Sequence, residues 1–418
     1  MRVQRTAGLA LVAAFVLLGQ SSAADPARKP ATYEERAGLL VTPMTALPSD
    51  APATKELTPP AFPDAYAVWS STGRDLGGRI WYGISANSPG MSAHLMQYDP
   101  ESDTWKDRGA VVERLRAASL LRAGEGQIKI HSRMVTAEDG WIYFASTDED
   151  GEVEDGSVLP KWGGHLWRID PDSGAWQHLL TAAEGLVAVS GVGRYVYALG
   201  YWGHVLIQYD TASGALRRTT VGSVGGHVSR NFLADVNGHA YVPRVTKAGN
   251  KIAAALVEFD AELREVAATP LEYYAGGVSI DQNHGIIGVA YLSDGRLAFT
   301  THRGQLYLIE PRADGAAKVS ALGWFHPQAG TYAPSLFAVD GRRFVAGATQ
   351  RGRRFDWVTF DLQSKKSVAH QIDTKGLRDV LLYCSMARDN AGRFYLGGWA
   401  SNGKGGQRPL LLQVTPAP

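Results

Sequence analysis

The sequence predicts an all-β fold, a single seven-bladed β-propeller. Three observations carry that expectation. A module recurs along the chain: an apolar strand, a tight turn ending in Gly, a second strand rich in aromatic and β-branched residues, and a third strand ending in Asp. The turn glycines are Gly78 (GGRIWYG), Gly140 (EDGWIYFAS), Gly193 (VGRYVYALG), Gly238 (NGHAYV), Gly295 (DGRLAFT), Gly341 (DGRRFVAG) and Gly392 (AGRFYLG), a period of about 52 residues. The third strands recur as regularly, with AHLMQYD to Asp99, GGHLWRID to Asp170, GHVLIQYD to Asp210, AALVEFD to Asp260 and WVTFD to Asp361. Glycine makes up 47 of 418 residues, as a turn-rich β chain requires. A four-stranded unit cannot bury both faces of its sheet alone, so the copies must pack radially.

The segments follow in order. Arg2 and Arg5, the apolar run Leu9 to Leu18 and the small residues Ser21-Ser22-Ala23 read as a signal peptide over residues 1–23. Its apolar run is too short for a membrane span, and the mature chain is expected in the periplasm or outside the cell. Residues 24–34 read as a flexible lead and 35–418 as the propeller. The last module ends after its third strand (LLLQVTP), while Glu35 to Leu47 (ERAGLLVTPMTAL) holds an unassigned apolar stretch. That stretch is expected to supply the missing outer strand of blade seven and remove its open edge.

Composition excludes several classes. With 42 Lys+Arg against 41 Asp+Glu, the chain lacks the basic excess of a nucleic-acid binder. One cysteine, Cys384, in the apolar run LLYCSM, rules out a disulfide framework or a Cys-ligated metal. The acidic run Asp148 to Asp155 lacks EF-hand spacing and reads as a solvated lid.

In an up-and-down blade, strands one and three run the same way. The starts of the first strands and the loops between strands two and three therefore converge on one rim of the channel. The strand-one starts hold His131 and Arg133 (KIHSRM), His227 and Arg230 (GGHVSRN), His284, Tyr332 and Tyr383. The loops hold His94, His165, Tyr201, Trp202, His204, Arg244, His302, Arg303 and Trp399. His131 and Arg133 alternate onto one side of their strand. His94, His165 and His204 share one repeat position, where capping a neighbouring blade's carbonyl explains them as well as ligand binding does.

Such a rim suits a carbohydrate bearing a carboxylate: Arg grips the carboxylate in a fork, aromatic rings stack on sugar faces, and His or Tyr exchanges protons. On a uronic-acid glycan the fitting reaction is β-elimination, in which the carboxylate is neutralised, a base takes the C5 proton and an acid protonates the leaving oxygen. Hydrolysis would call for two opposed carboxylates, and the rim is poor in them; Glu184 and Asp379 are the nearest. A divalent-cation site among His131, His165, His227, His284 and His302 stays open, because spacing cannot test ligands drawn from different blades.

The motifs IHSRM, DGWIYFAS, GGHLWRID and YWGHVLIQYD resemble secreted seven-bladed propeller polysaccharide lyases, those acting on ulvan, rhamnosyl-glucuronate and oligogalacturonate, and in outline the streptogramin lyases. The resemblance implies a channel-mouth site built of His, Tyr and Arg, in some members with a divalent cation and in others without. It makes His131 and Tyr201 the acid/base candidates, with His227 beside them, and Arg230 or Arg244 the neutraliser. Arg133, His165, Trp202, His204, Arg244, His284, His302, Arg303 and Tyr332 are expected to bind an acidic polysaccharide or oligosaccharide. A propeller glycoside hydrolase and a non-catalytic glycan- or protein-binding propeller are the alternatives.

Overall fold

The computed structural model describes residues 31–39, 44–153, 156–201, 204–225, 229–248, 251–274, 285–374 and 376–417. The strands form seven antiparallel sheets arranged as a β-propeller. Blades one to six span residues 65–110, 129–182, 186–220, 233–271, 286–324 and 337–371, and blade seven spans 381–415. Aspartates build the turns between strands one and two. The Asp235 carboxylate accepts the amides of Asn237 and His239 and the Tyr241 hydroxyl, and Asp389 does the same for Ala391, Arg393 and Tyr395. Each such turn requires a left-handed residue, filled by Gly238 and Gly392 at φ 84° and 80°.

The core lies between blades. Apolar clusters straddle each neighbouring pair in turn, from blades one and two round to blades six and seven, where Phe337, Trp357 and Phe394 pack ring against ring. Leu57, Val68, Ile80, Tyr82, Tyr395 and Leu411 fill the seam between blades seven and one. The ring is closed by an N-terminal strand, as expected, but the strand is Ala53–Leu57, paired from Ala53↔Thr415 to Leu57↔Leu411. Residues 35–47 do not supply it. Their described part begins inside a short helix, Tyr33–Ala37, whose capping box joins Thr32 and Glu35, so the end of the presumed flexible lead is also ordered into that helix. The helix lies across the C-terminal ends of the innermost strands, where the Tyr33 hydroxyl donates to the Leu292 carbonyl (2.8 Å) and Arg36 Nε to the Val192 carbonyl (2.6 Å). Among the described residues no helix is long and apolar enough to cross a membrane.

The innermost strands bulge near the axis, and serines repair the ladder. The hydroxyls of Ser132, Ser335 and Ser385 each accept an amide of the adjoining second strand, from Ala145, Ala348 and Gly397, at 2.8 Å. In blade two this break, between Lys129–Ile130 and Val135–Thr136, aims His131 and Arg133 at the carbonyls of Val187 and Val189 on blade three.

Arg133, expected to bind substrate, is only 1% exposed. Its Nε donates to the Val189 carbonyl (2.8 Å); its Nη atoms donate to the Ser190 hydroxyl, the Phe232 carbonyl (3.3 Å), the Tyr291 hydroxyl (2.8 Å) and the Met386 sulfur. One guanidinium from blade two thus ties blades three, four, five and seven at the axis. Replacing it leaves several buried acceptors without donors, and each hydrogen bond to a charged group contributes about 1.5–3 kcal/mol. Arg133→Met is expected to lower unfolding free energy by about 3 kcal/mol or more, measured by denaturant titration with the m-value unchanged.

Candidate functional site

The opposite mouth of the channel, at the start of the innermost strands, gathers the polar residues left after the core is filled. His131 is fully buried. Arg230 donates to its Nε2 in a short contact. A guanidinium only donates, so Nε2 carries the lone pair and Nδ1 the proton, which points to the Val187 carbonyl at 3.3 Å. Trp69 lies parallel to the imidazole, centroids 6.4 Å apart, and packs against Tyr383 at 4.5 Å. Its indole N–H donates to the Tyr66 hydroxyl (2.8 Å). The following residue, Ser70, is buried at φ 113°, a left-handed backbone that costs about 1–3 kcal/mol and turns the Trp69 ring into the mouth.

The floor is charged on both signs. Lys129 lies 5.2 Å from the Trp69 ring centroid and pairs with Glu149. Tyr201 donates to Glu149 at 3.4 Å. Tyr201 is itself fully buried, and burial, with Glu149 and Glu152 next, pushes its hydroxyl well above the ordinary value. Across the mouth His302 is half-buried with its ring 5.3 Å from Tyr332. Burial first, then the charges of Arg230 and Arg303, lower His302 to about 4.

The structure therefore brings His131, Arg230, His302 and Tyr332 to one mouth, with Arg303 exposed at its edge and Tyr201 beneath it. Trp202, His227 and His284 lie outside the described residues. Other expectations are corrected. Arg244 forms a two-pronged pair with Glu265 on the outer strand (3.0 and 2.6 Å) and donates to the Val221 carbonyl, so it is not a neutraliser at the mouth. His165 is 1% exposed, bonded to Glu125 and His178 at 2.9 Å each. His94 pairs with Asp107 and stacks on Phe62. His204 is buried in a left-handed backbone at φ 51° and opens the third strand of blade three. At that shared repeat position His94 and His165 are held by side chains, Asp107 for the one and Glu125 with His178 for the other, rather than by a neighbouring blade's carbonyl.

The acidic run is not simply a solvated lid. Asp148 is 3% exposed and accepts the amides of Gly126 and Gln127, and Glu149 faces the site. Sequence reading missed Trp69, Lys129 and Glu149. The signal that could have found Trp69 is an aromatic residue at the opening of the blade-one inner strand (WSSTGR). Among the described residues no group of three or more His, Cys, Asp or Glu is placed to hold a metal ion.

No protein-family model and no curated protein matches this chain. Solved structures do. A protein of unknown function from Dyadobacter fermentans is similar with TM-score 0.52 at 11% identity, over 87% of this chain and 100% of that one. YCF48 bound to D1 peptide gives 0.51 at 12% identity, over 89% and 97%. The Cps50 (Swd1) β-propeller domain of Myceliophteria thermophila gives 0.50 at 11%, over 87% and 100%. At such identities the likeness establishes the fold.

Burial holds His178, His302 and His326 below the ordinary histidine value, and the fold is expected to be acid-sensitive for that reason. Burial, then the neighbouring His165, lowers His178 to about 4, as His302 is lowered. An unfolded histidine binds its proton near pH 6.5, so between about 6.5 and 4 the unfolded chain holds more protons. Their contribution is complete above pH 6.5 and is lost as pH falls towards 4. Thermal melts should show Tm falling between pH 7 and pH 5, with a smaller fall in His178→Asn.

Proposed function

We propose that the channel mouth binds an acidic polysaccharide or oligosaccharide and cleaves it by β-elimination at a uronate residue, in an exported protein. The observation that carries the reading is the contact of Arg230 with His131 Nε2 beside the Trp69–Tyr383 wall. In the free protein Arg230 covers the one lone pair of a neutral imidazole. A uronate carboxylate is a stronger partner for a guanidinium than an imidazole nitrogen is. On binding, it draws Arg230 away and uncovers the base in the same movement.

The chemistry follows from that exchange. Arg230 stabilises the charge that builds on the carboxylate as C5 loses its proton. His131 Nε2 takes that proton, its Nδ1–H still directed at the Val187 carbonyl, so the imidazolium forms with a partner already in place. The C5 electron pair forms the C4–C5 double bond, and the C4–O bond breaks. Tyr332, beside His302, is the acid of this reading: ligand binding opens its buried hydroxyl, which then protonates the leaving oxygen. His302, neutral down to about pH 4, hydrogen-bonds rather than carries charge. Tyr201, fully buried, acts as a positioning residue: it holds Glu149, which holds Lys129 beneath the aromatic wall.

The expected outcome on pectic, ulvan, alginate and glucuronate-bearing glycans is a rise in ultraviolet absorbance from an unsaturated uronate, with kcat falling about 100-fold or more in His131→Gln and in Arg230→Gln. Reducing ends without absorbance would make the protein a hydrolase. Saturable binding without turnover would make it a glycan-binding propeller, since the same wall and guanidinium serve either role.

A further inference from the structure

The other end of the channel holds a second concentration of positive charge. Beneath the helix Tyr33–Ala37 lies a cavity of about 50 Å³ lined by Arg36, Arg74, Arg133 and Arg388, with Tyr291 and Met386 between them. The four arginines come from the N-terminal helix and from the innermost strands of blades one, two and seven. No Asp or Glu lines the cavity. The closest acidic groups face other partners: Asp75 accepts from Arg79 and Trp81, and Asp389 from Arg393 and Tyr395. Asp75, Asp389 and, for Arg36, Glu138 together with Glu34 and Glu35 of its own helix act on the cluster without lining the cavity. Burial outweighs them, so Arg36, Arg74 and Arg388 are all held below the ordinary arginine value, Arg388 at about 10.

Desolvated guanidinium groups gathered without a lining carboxylate create a strong field for an anion. Each guanidinium also holds protein acceptors: Arg36 the Val192 and Ala31 carbonyls, Arg74 the Asp75 carbonyl and the Asn390 side chain, Arg388 the Ala338 and Val339 carbonyls, and Arg133 those of the ring. The cavity exceeds the roughly 10–15 Å³ that a water molecule needs, and the positive charge that these neutral acceptors leave uncancelled suits a small ion with several acceptor oxygens. We propose that this cavity binds a small inorganic oxyanion of the phosphate or sulfate class, with the N-terminal helix as its cover. The cover is coupled to the site through Arg36, which lines the cavity while its Nε holds the Val192 carbonyl, and through Gly38, which packs directly on the Arg74 side chain. An anion seated here would therefore tighten the helix onto the ring.

The test uses the full chain, titrated with inorganic phosphate against chloride at constant ionic strength. A saturable rise in Tm of about 2–4 °C is expected, equal in Arg230→Gln and lost in Arg36→Gln and Arg74→Gln. As a second reading on the unaltered protein, amide exchange over residues 36–39 should slow by about tenfold at saturating phosphate. No saturable rise, or exchange there that phosphate leaves unchanged, overturns the proposal. A rise that disappears in Arg230→Gln while persisting in Arg36→Gln would place the anion at the catalytic mouth and overturn it as well.

Discussion

The Arg133 guanidinium at the propeller axis is the interaction on which the rest of the molecule depends. A buried charge without a contacting carboxylate is tolerated only where several neutral acceptors converge on it, and here those acceptors come from blades three, four and five, with a sulfur from blade seven. No single blade could supply them. The charge is satisfied only when the ring has closed, so local strand formation and global closure favour the same arrangement. The same guanidinium divides the channel. His131 and Arg230 lie on one side of it, and the arginine-lined cavity beneath the N-terminal helix lies on the other.

That division explains how one strand break serves two purposes. The bulge repaired by Ser132 lets residues 131 and 133 both reach blade three, two carbonyls apart. Residue 133 is sealed and holds the ring; residue 131 is buried beside the Trp69 ring, with the Arg230 side chain on its Nε2. Burial keeps the surrounding titratable groups in their neutral forms: His302 is pushed down and Tyr66 and Tyr201 are pushed up. Among the described residues the charges at the mouth are those of Arg230, Arg303, the Lys129–Glu149 pair and Glu152. On the proposed reading, a carboxylate-bearing ligand would meet one guanidinium, Arg230, among these neutral groups.

The repeat was legible because six of the seven turns use the same chemistry, an Asp beside a Gly at positive φ; blade three turns on Gly191–Gly193 without an Asp. The closing strand was not. Ala53–Leu57 (ATKEL) is an outer strand of which only Leu57 is buried, so its apolar signal is faint, whereas the stronger signal of residues 35–47 belongs to Leu39, Met44 and Leu47, which pack against cores of neighbouring blades. At the mouth, strand direction accounts for the meeting of the first-strand starts His131, Arg230 and Tyr383 around Trp69, while Arg133 turns to the axis. Side-chain commitment was out of reach. Arg244 meets Glu265, and His165 meets Glu125, across 21 and 40 residues of chain, and no spacing rule marks such pairs. Glu149 was hidden within an acidic run whose other described members do not all face the site; only its pairing with Lys129 and Tyr201 distinguishes it.

The most direct test of the central role of Arg133 is a double-mutant cycle between it and Tyr291, whose hydroxyl it bonds at 2.8 Å and whose ring it faces at 5.5 Å. Unfolding free energies of Arg133→Met, Tyr291→Phe and the double variant should give a coupling energy of about 1–2 kcal/mol. Additive effects, with coupling indistinguishable from zero, would show that the axial guanidinium does not hold the blades together.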